Sequence, residues 1–125
     1  VRNRAFQYPG ASGLDTDVMR EAASHIVGTY DFKCFETAGG TPRESTVRTV
    51  SRLDISEDEK SIVIEITGDG FLYNMVRIIT GTLVEAGAGK RTAYSVREAI
   101  ESRDRSRAGF TAPPQGLYLK EIYFE

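Results

Sequence analysis

The sequence predicts an α+β domain, an antiparallel or mixed sheet with helices packed mainly on one face, and three observations predict it. Residues 47–55 and 62–67 alternate apolar and polar side chains on either side of an acidic turn, the pattern of a β-hairpin. Residues 71–86 are apolar almost all the way round, which places a helix in an interior. Strand-like and helix-like segments do not alternate along the chain as they would in a doubly wound sheet. The 125 residues suit one domain, 1–125, with a real core. Val1 stands where a complete chain would open on Met, and no signal-like stretch follows, so a piece of a longer protein is expected.

Residues 1–13 read as an extended arm or linker, punctuated by turn signals at Pro9-Gly10 and Ser12-Gly13. A helix follows. Asp15 is a good N-cap, Leu14 and Met19 stand at hydrophobic-staple positions, Val18, Ala22, Ile26 and Val27 form the inner stripe, and Gly28 closes it. His25 reads as a partly exposed residue of that helix. The loop TYDFKCFETAGG is too aromatic for a plain linker; Phe32 and Phe35 either cover the core or line a substrate cleft. Cys34 has only Lys33 as an activating neighbour and reads as a small buried or half-buried side chain.

A polar stretch with Pro42 and Arg43 leads into the hairpin. In its first strand Val47, Thr49, Ser51, Leu53 and Ile55 form one face, and Arg48 and Arg52 share the other. That pair is either a solvated face or a phosphate contact. In the second strand Ile62, Ile64 and Ile66 alternate with Val63, Glu65 and Thr67.

The apolar helix, Phe71 to Ala86, comes next. Its thin polar stripe is Asn74, Arg77 and Gly81, at helical spacing. A buried guanidinium keeps its charge and needs a partner. The nearest acids along the helix, Asp69 and Glu85, are eight residues from Arg77, roughly 12 Å at 1.5 Å per residue. The partner of Arg77 is therefore expected from elsewhere in the fold or from another part of the protein. Ser95-x-x-Glu98 reads as a capping box opening a short helix with Val96, Ala99 and Ile100 inward. Lys90, Arg91, Arg97, Arg103, Arg105 and Arg107 concentrate positive charge, either as a plain exposed surface or as an RNA-backbone contact. Leu117 to Phe124 reads as a strand closing the sheet.

Several function classes fall away on composition. A 40% hydrophobic content and a net charge of −2 describe an ordinary soluble domain, with no global nucleic-acid signature. One cysteine excludes an internal disulfide, and one cysteine with one histidine leaves no zinc set. No apolar run reaches the length of a membrane span, and a reducing cytoplasm is the expected location. Neither GDGFLYN nor GAGKRT has the glycine spacing of a phosphate loop.

Two ordered motifs, GFLYNMVRIITGTLVEAG and RDRSRAGFTAPPQGLYL, resemble the C-terminal half of the TruA-type tRNA pseudouridine synthases, and the likeness spans nearly the whole chain. It implies a pseudouridine-synthase-like half domain that acts without metal or organic cofactor. It also implies a homodimer that grips tRNA, in bacterial members at the anticodon arm. The family's catalytic Asp lies in an Arg-Thr-Asp-x-Gly-Val-His-like segment of the N-terminal half, and none of the seven Asp residues here has that context. The resemblance makes Arg77 the ion-pair partner of that missing Asp. Leu117 corresponds to a residue packing on the uracil face, or is an ordinary core residue of the last strand, and Phe71, Asn74 and Arg107 are the further candidate substrate-binding residues. The alternative is a non-catalytic α+β module for RNA docking or dimerisation.

Overall fold

The computed structural model describes residues 1–9, 13–39, 44–57 and 61–119, without the side chains of Pro9 and of 117–119. Eight regular elements follow in order: β1 (Arg2–Pro9), α1 (Thr16–Ser24), β2 (Gly28–Asp31), β3 (Val47–Glu57), β4 (Ser61–Gly68), α2 (Met75–Gly87), α3 (Tyr94–Ser102) and β5 (Leu117–Leu119). The strands form one sheet in the order β2-β3-β4-β1-β5, with every neighbouring pair antiparallel. The class is α+β, as expected.

Its core lies between one face of the sheet and the three helices. Ile62, Ile64 and Ile66 of β4 are fully buried there. The antiparallel register sets Tyr8, Phe6 and Arg4 of β1 directly opposite them, hence on the same face. From the helices come Met19 and Ala22 of α1, Ile78, Ile79 and Leu83 of α2, and Val96, Ala99 and Ile100 of α3, all buried. Phe32 and Phe35, whose rings stack 6.0 Å apart, are fully buried in the same cluster, so they cover the core and line no cleft.

Several elements differ from expectation. Residues 2–9, expected as part of an arm or linker, form an interior strand between β4 and β5. Strand β2 lies where the sequence reads as loop, and α1 ends at Ser24, with His25 as its C-cap. Gly28 opens β2 at φ +136, a left-handed value that suits glycine. In β3 a bulge between Val50 and Arg52 inserts Ser51 and exchanges the two faces. Val50 is thereby core-facing along with Ile55, and the two arginines part company. Arg52 is bonded to Asp54 on the exposed side, whereas Arg48 lines a cleft. The capping box at α3 does not form. Thr92 does that work instead, its Oγ1 accepting from the Ser95 backbone N–H at 3.1 Å. Asp15 caps α1 as expected, accepting from the N–H groups of Asp17 and Val18. Pro42, Arg43, the 58–60 turn and residues 120–124 of the expected last strand lie outside the described residues.

Candidate active site

The helix expected from Phe71 begins four residues later. Asn74 holds a left-handed conformation, φ 62 and ψ 12, which Asn tolerates better than most residues and which cannot continue a helix backwards. Phe71 to Asn74 are thereby released from helical geometry and line a cleft of about 840 Å³.

That cleft lies at one end of the sheet. Arg2 and Arg4 reach it from β1, Arg48 from β3, Asp69 and Phe71 from the loop after β4, and Asn74 and Arg77 from the start of α2. Among the described residues four arginines and one carboxylate thus line the cleft. Asp69 is stapled to β3: its Oδ1 accepts from the Thr49 N–H at 2.9 Å, and its own N–H donates to the Thr49 carbonyl at 3.0 Å. Arg4 lies over the Phe71 ring, 5.8 Å from its centroid, a cation–π contact that leaves the charge turned to the cleft. Arg48 donates to the carbonyls of Ser45 and Val47, so among the described residues its charge meets backbone dipoles and no acid within 4.0 Å. The summed field attracts an anion.

Arg77 is half-buried, more accessible than a residue inside a fully apolar helix would be. Its Nε donates to the Ala112 carbonyl at 2.8 Å, and its Nη1 donates to Asn74 Oδ1 at 3.0 Å. Asn74 Nδ2 in turn donates to Thr37 Oγ1 at 2.9 Å. Among the described residues no carboxylate lies within 4.0 Å of Arg77, and its Nη2 has no partner. A guanidinium held by two neutral oxygens, with one nitrogen unpartnered among the described residues, at the lining of a basic cleft, can receive a carboxylate or a phosphate.

The two sequence motifs meet at this helix. Gly81 explains how: a Cβ there would stand 1.8 Å from the Phe110 carbonyl oxygen, so only glycine lets the 109–112 segment lie against α2. Thr82 Oγ1 accepts from the Gly109 N–H at 2.8 Å, and the Ala112 N–H donates to the Arg77 carbonyl at 3.0 Å. Arg105 draws the same segment in through the Gly109 carbonyl and the Thr111 hydroxyl. The carbonyl that orients Arg77 is therefore placed by the second motif.

Of the residues singled out in the sequence, Phe71, Asn74 and Arg77 come together in the cleft. Arg107 is exposed and does not line it. Leu117 opens β5 opposite Phe6 in the register; its side chain is outside the description. The basic stretch is largely consumed inside the chain. Arg91 binds Glu85 at 3.2 Å, Ser95 and the Arg107 carbonyl; Arg97 meets His25 Nδ1 and the Tyr30 ring; Arg103 approaches Asp31 at 3.8 Å. Arg2, Arg4 and Thr37 escaped the sequence reading. Residues 2–5, Arg-Asn-Arg-Ala, carry no alternation of apolar and polar side chains that would mark a strand, so no local signal pointed to them. Cys34 is inert: burial pushes its thiol up to about 12, against a downward pull from Arg105 and Arg91. Among the described residues no three His, Cys, Asp or Glu side chains gather to hold a metal ion, and no helix is long and apolar enough to cross a membrane.

Fold and cleft together define a basic, anion-attracting cleft on an antiparallel α+β scaffold. A family model described as tRNA pseudouridine synthase matches residues 22–125. The chain is 50% identical over 124 residues to tRNA pseudouridine synthase A of Acetivibrio thermocellus, covering 99% of this chain and 50% of that protein. It is 46% identical over 125 residues to the protein of that name from Bacillus subtilis, covering 100% and 50%, and 45% identical over 123 residues to that of Clostridium acetobutylicum, covering 98% and 49%. The chain belongs to the tRNA pseudouridine synthase family. It spans about half the length of the curated relatives it matches.

Proposed function

We propose that this chain is the C-terminal half of a TruA-type tRNA pseudouridine synthase, and that Arg77 receives the carboxylate of a catalytic Asp supplied by the N-terminal half. The observation that carries the reading is Arg77 itself, forked between Ala112 and Asn74, with Nη2 unpartnered among the described residues beside a basic cleft. An arginine in that position holds a carboxylate ionised and fixes its direction of attack. In the reaction the bond between uracil N1 and the ribose C1′ breaks, the uracil turns while bound, and C5 bonds to C1′. C5 gives up its proton and N1 gains one, so no oxidant or cofactor is required. The Asp acts as nucleophile or as general base. The target uridine must leave its stack to reach the cleft. Arg2, Arg4 and Arg48 meet the phosphates on either side of it, in the tRNA anticodon arm. The full protein works as a homodimer in the cytoplasm, and the 125 residues alone are inactive.

The test is pseudouridine formation on tRNA by the full-length protein. Arg77→Ala is expected to lower turnover roughly 10²–10³-fold, the range for removing one preorganised charged or hydrogen-bonding group from a reacting centre. Arg77→Lys keeps the charge and loses the fork, and should recover only part of that loss. Wild-type turnover in Arg77→Ala, or turnover abolished instead by Asp69→Asn, would refute the assignment, because Asp69 is the acid this chain already places in the cleft.

A further inference from the structure

We infer that Asn74 and Thr37 are positioning residues for Arg77, a two-link brace that fixes the guanidinium's direction without touching substrate. The inference rests on the assignment of Arg77 made above. Asn74 spends both ends of its amide within the chain. Its Oδ1 takes the Arg77 Nη1 hydrogen at 3.0 Å, and its Nδ2 gives a hydrogen to Thr37 Oγ1 at 2.9 Å. An amide used at both ends in this way is held in one orientation and presents an acceptor, never a donor, to Arg77.

The backbone supports the same geometry. Asn74 sits at φ 62, one of only two non-glycine residues with positive φ among the described residues. Strain of this kind persists where surrounding contacts hold it. The Thr37 N–H donates to the Tyr73 carbonyl at 3.3 Å, so the loop carrying Thr37 is tied to the turn carrying Asn74 by backbone as well as by side chain. On its other side Arg77 is held by Ala112. The guanidinium is therefore held by two partners, and its Nη2 has none among the described residues, in a residue that lines the cleft. A neutral acceptor suits this place: a carboxylate there would neutralise the charge that the incoming Asp needs.

The experiment uses the full-length enzyme, with tRNA as substrate and kcat, KM and unfolding temperature as readouts. Asn74→Gly removes the brace, and glycine adopts φ 62 without strain, so folding is kept. It should lower kcat about 10-fold or more, as misplacement near a reacting centre does, with KM for tRNA held within about two-fold. Asn74→Asp should lower kcat further than Asn74→Gly, because its carboxylate competes for Arg77. Thr37→Val, which replaces only the hydroxyl, should show a smaller loss of the same kind, and Thr37→Ser should restore it. On an Arg77→Ala background Asn74→Gly should change nothing more, since Asn74 acts only through Arg77. The brace is overturned if Asn74→Gly keeps wild-type kcat while Arg77→Ala does not. It is equally overturned if Asn74→Gly raises KM alone, the mark of direct substrate contact, or if Asn74→Asp exceeds Asn74→Gly in turnover. Wild-type turnover in Arg77→Ala itself would instead remove the assignment on which the brace rests.

Discussion

Two groups of arginines occupy this chain, and they have opposite duties. Those after α2, Arg91, Arg97, Arg103 and Arg105, find acids, rings, hydroxyls and carbonyls of the chain itself. They act as struts. Those around the cleft, Arg2, Arg4, Arg48 and Arg77, come from three separate elements, and none is within 4.0 Å of a carboxylate among the described residues. Their hydrogen bonds, where they have them, go to neutral oxygens that orient the charge without neutralising it. Density of positive charge along a sequence thus says little about where an anion binds. What the charges are already bonded to says much more.

The sharpest way to break this comparison is to exchange its two ends. Arg77→Ala should remove roughly 2.7–4 kcal/mol of transition-state stabilisation in the full-length enzyme, with a stability cost of no more than about 1.5–3 kcal/mol for the lost bonds to Ala112 and Asn74. Gly81→Ala should act on both groups at once. Its methyl group meets the Phe110 carbonyl, so the 109–112 segment must shift. A stability loss at or above the upper end of about 1–3 kcal/mol is expected in denaturant unfolding, together with lost turnover as Ala112 leaves Arg77.

Arg91→Ala should behave as the removal of a strut. The Arg91–Glu85 pair is only 13% and 26% exposed, so its loss should cost about 1.5–3 kcal/mol of stability, with tRNA affinity unchanged. The struts also reach Cys34, whose thiol they pull down and burial pushes up to about 12. Since the folded value exceeds the ordinary 9.0, the unfolded chain loses this proton first. Stability should fall above pH 9 by about 1.4 kcal/mol per unit until the folded thiol ionises, and Cys34→Ala should abolish that slope. The smallest effect belongs to Arg48→Ala. Stability should hold within about 0.5 kcal/mol, while the slope of log affinity for tRNA against log salt should become shallower by about one.

The sequence carried the parts of the fold whose signals are local. The alternation in β4, the Asp15 cap and the inward residues of α3 each lie within a few positions of one another, and each is where its pattern placed it. Strand β1 was hidden because its core face is only half apolar: Phe6 and Tyr8 pack on the core, but Arg2 and Arg4 hold the other positions of that face at the cleft end. The bulge at Ser51 was hidden because an inserted residue reverses parity without leaving a mark in composition. The helix start was misplaced because Phe71 to Tyr73 fit a helix by pattern, and only the Asn74 dihedral excludes them. Arg77 was legible as a charge without a local partner. Its companions Arg2, Arg4 and Arg48 were not, because the sheet order that gathers them is set by pairings between β1 and β4 across some sixty residues.

The most direct measurement is a crystal structure of the full-length protein. A carboxylate oxygen from outside these 125 residues should stand within hydrogen-bond distance of an Arg77 Nη atom, with Ala112 and Asn74 still holding the guanidinium. Arg77 bonded to Asp69, or facing solvent with no carboxylate near it, would contradict the account.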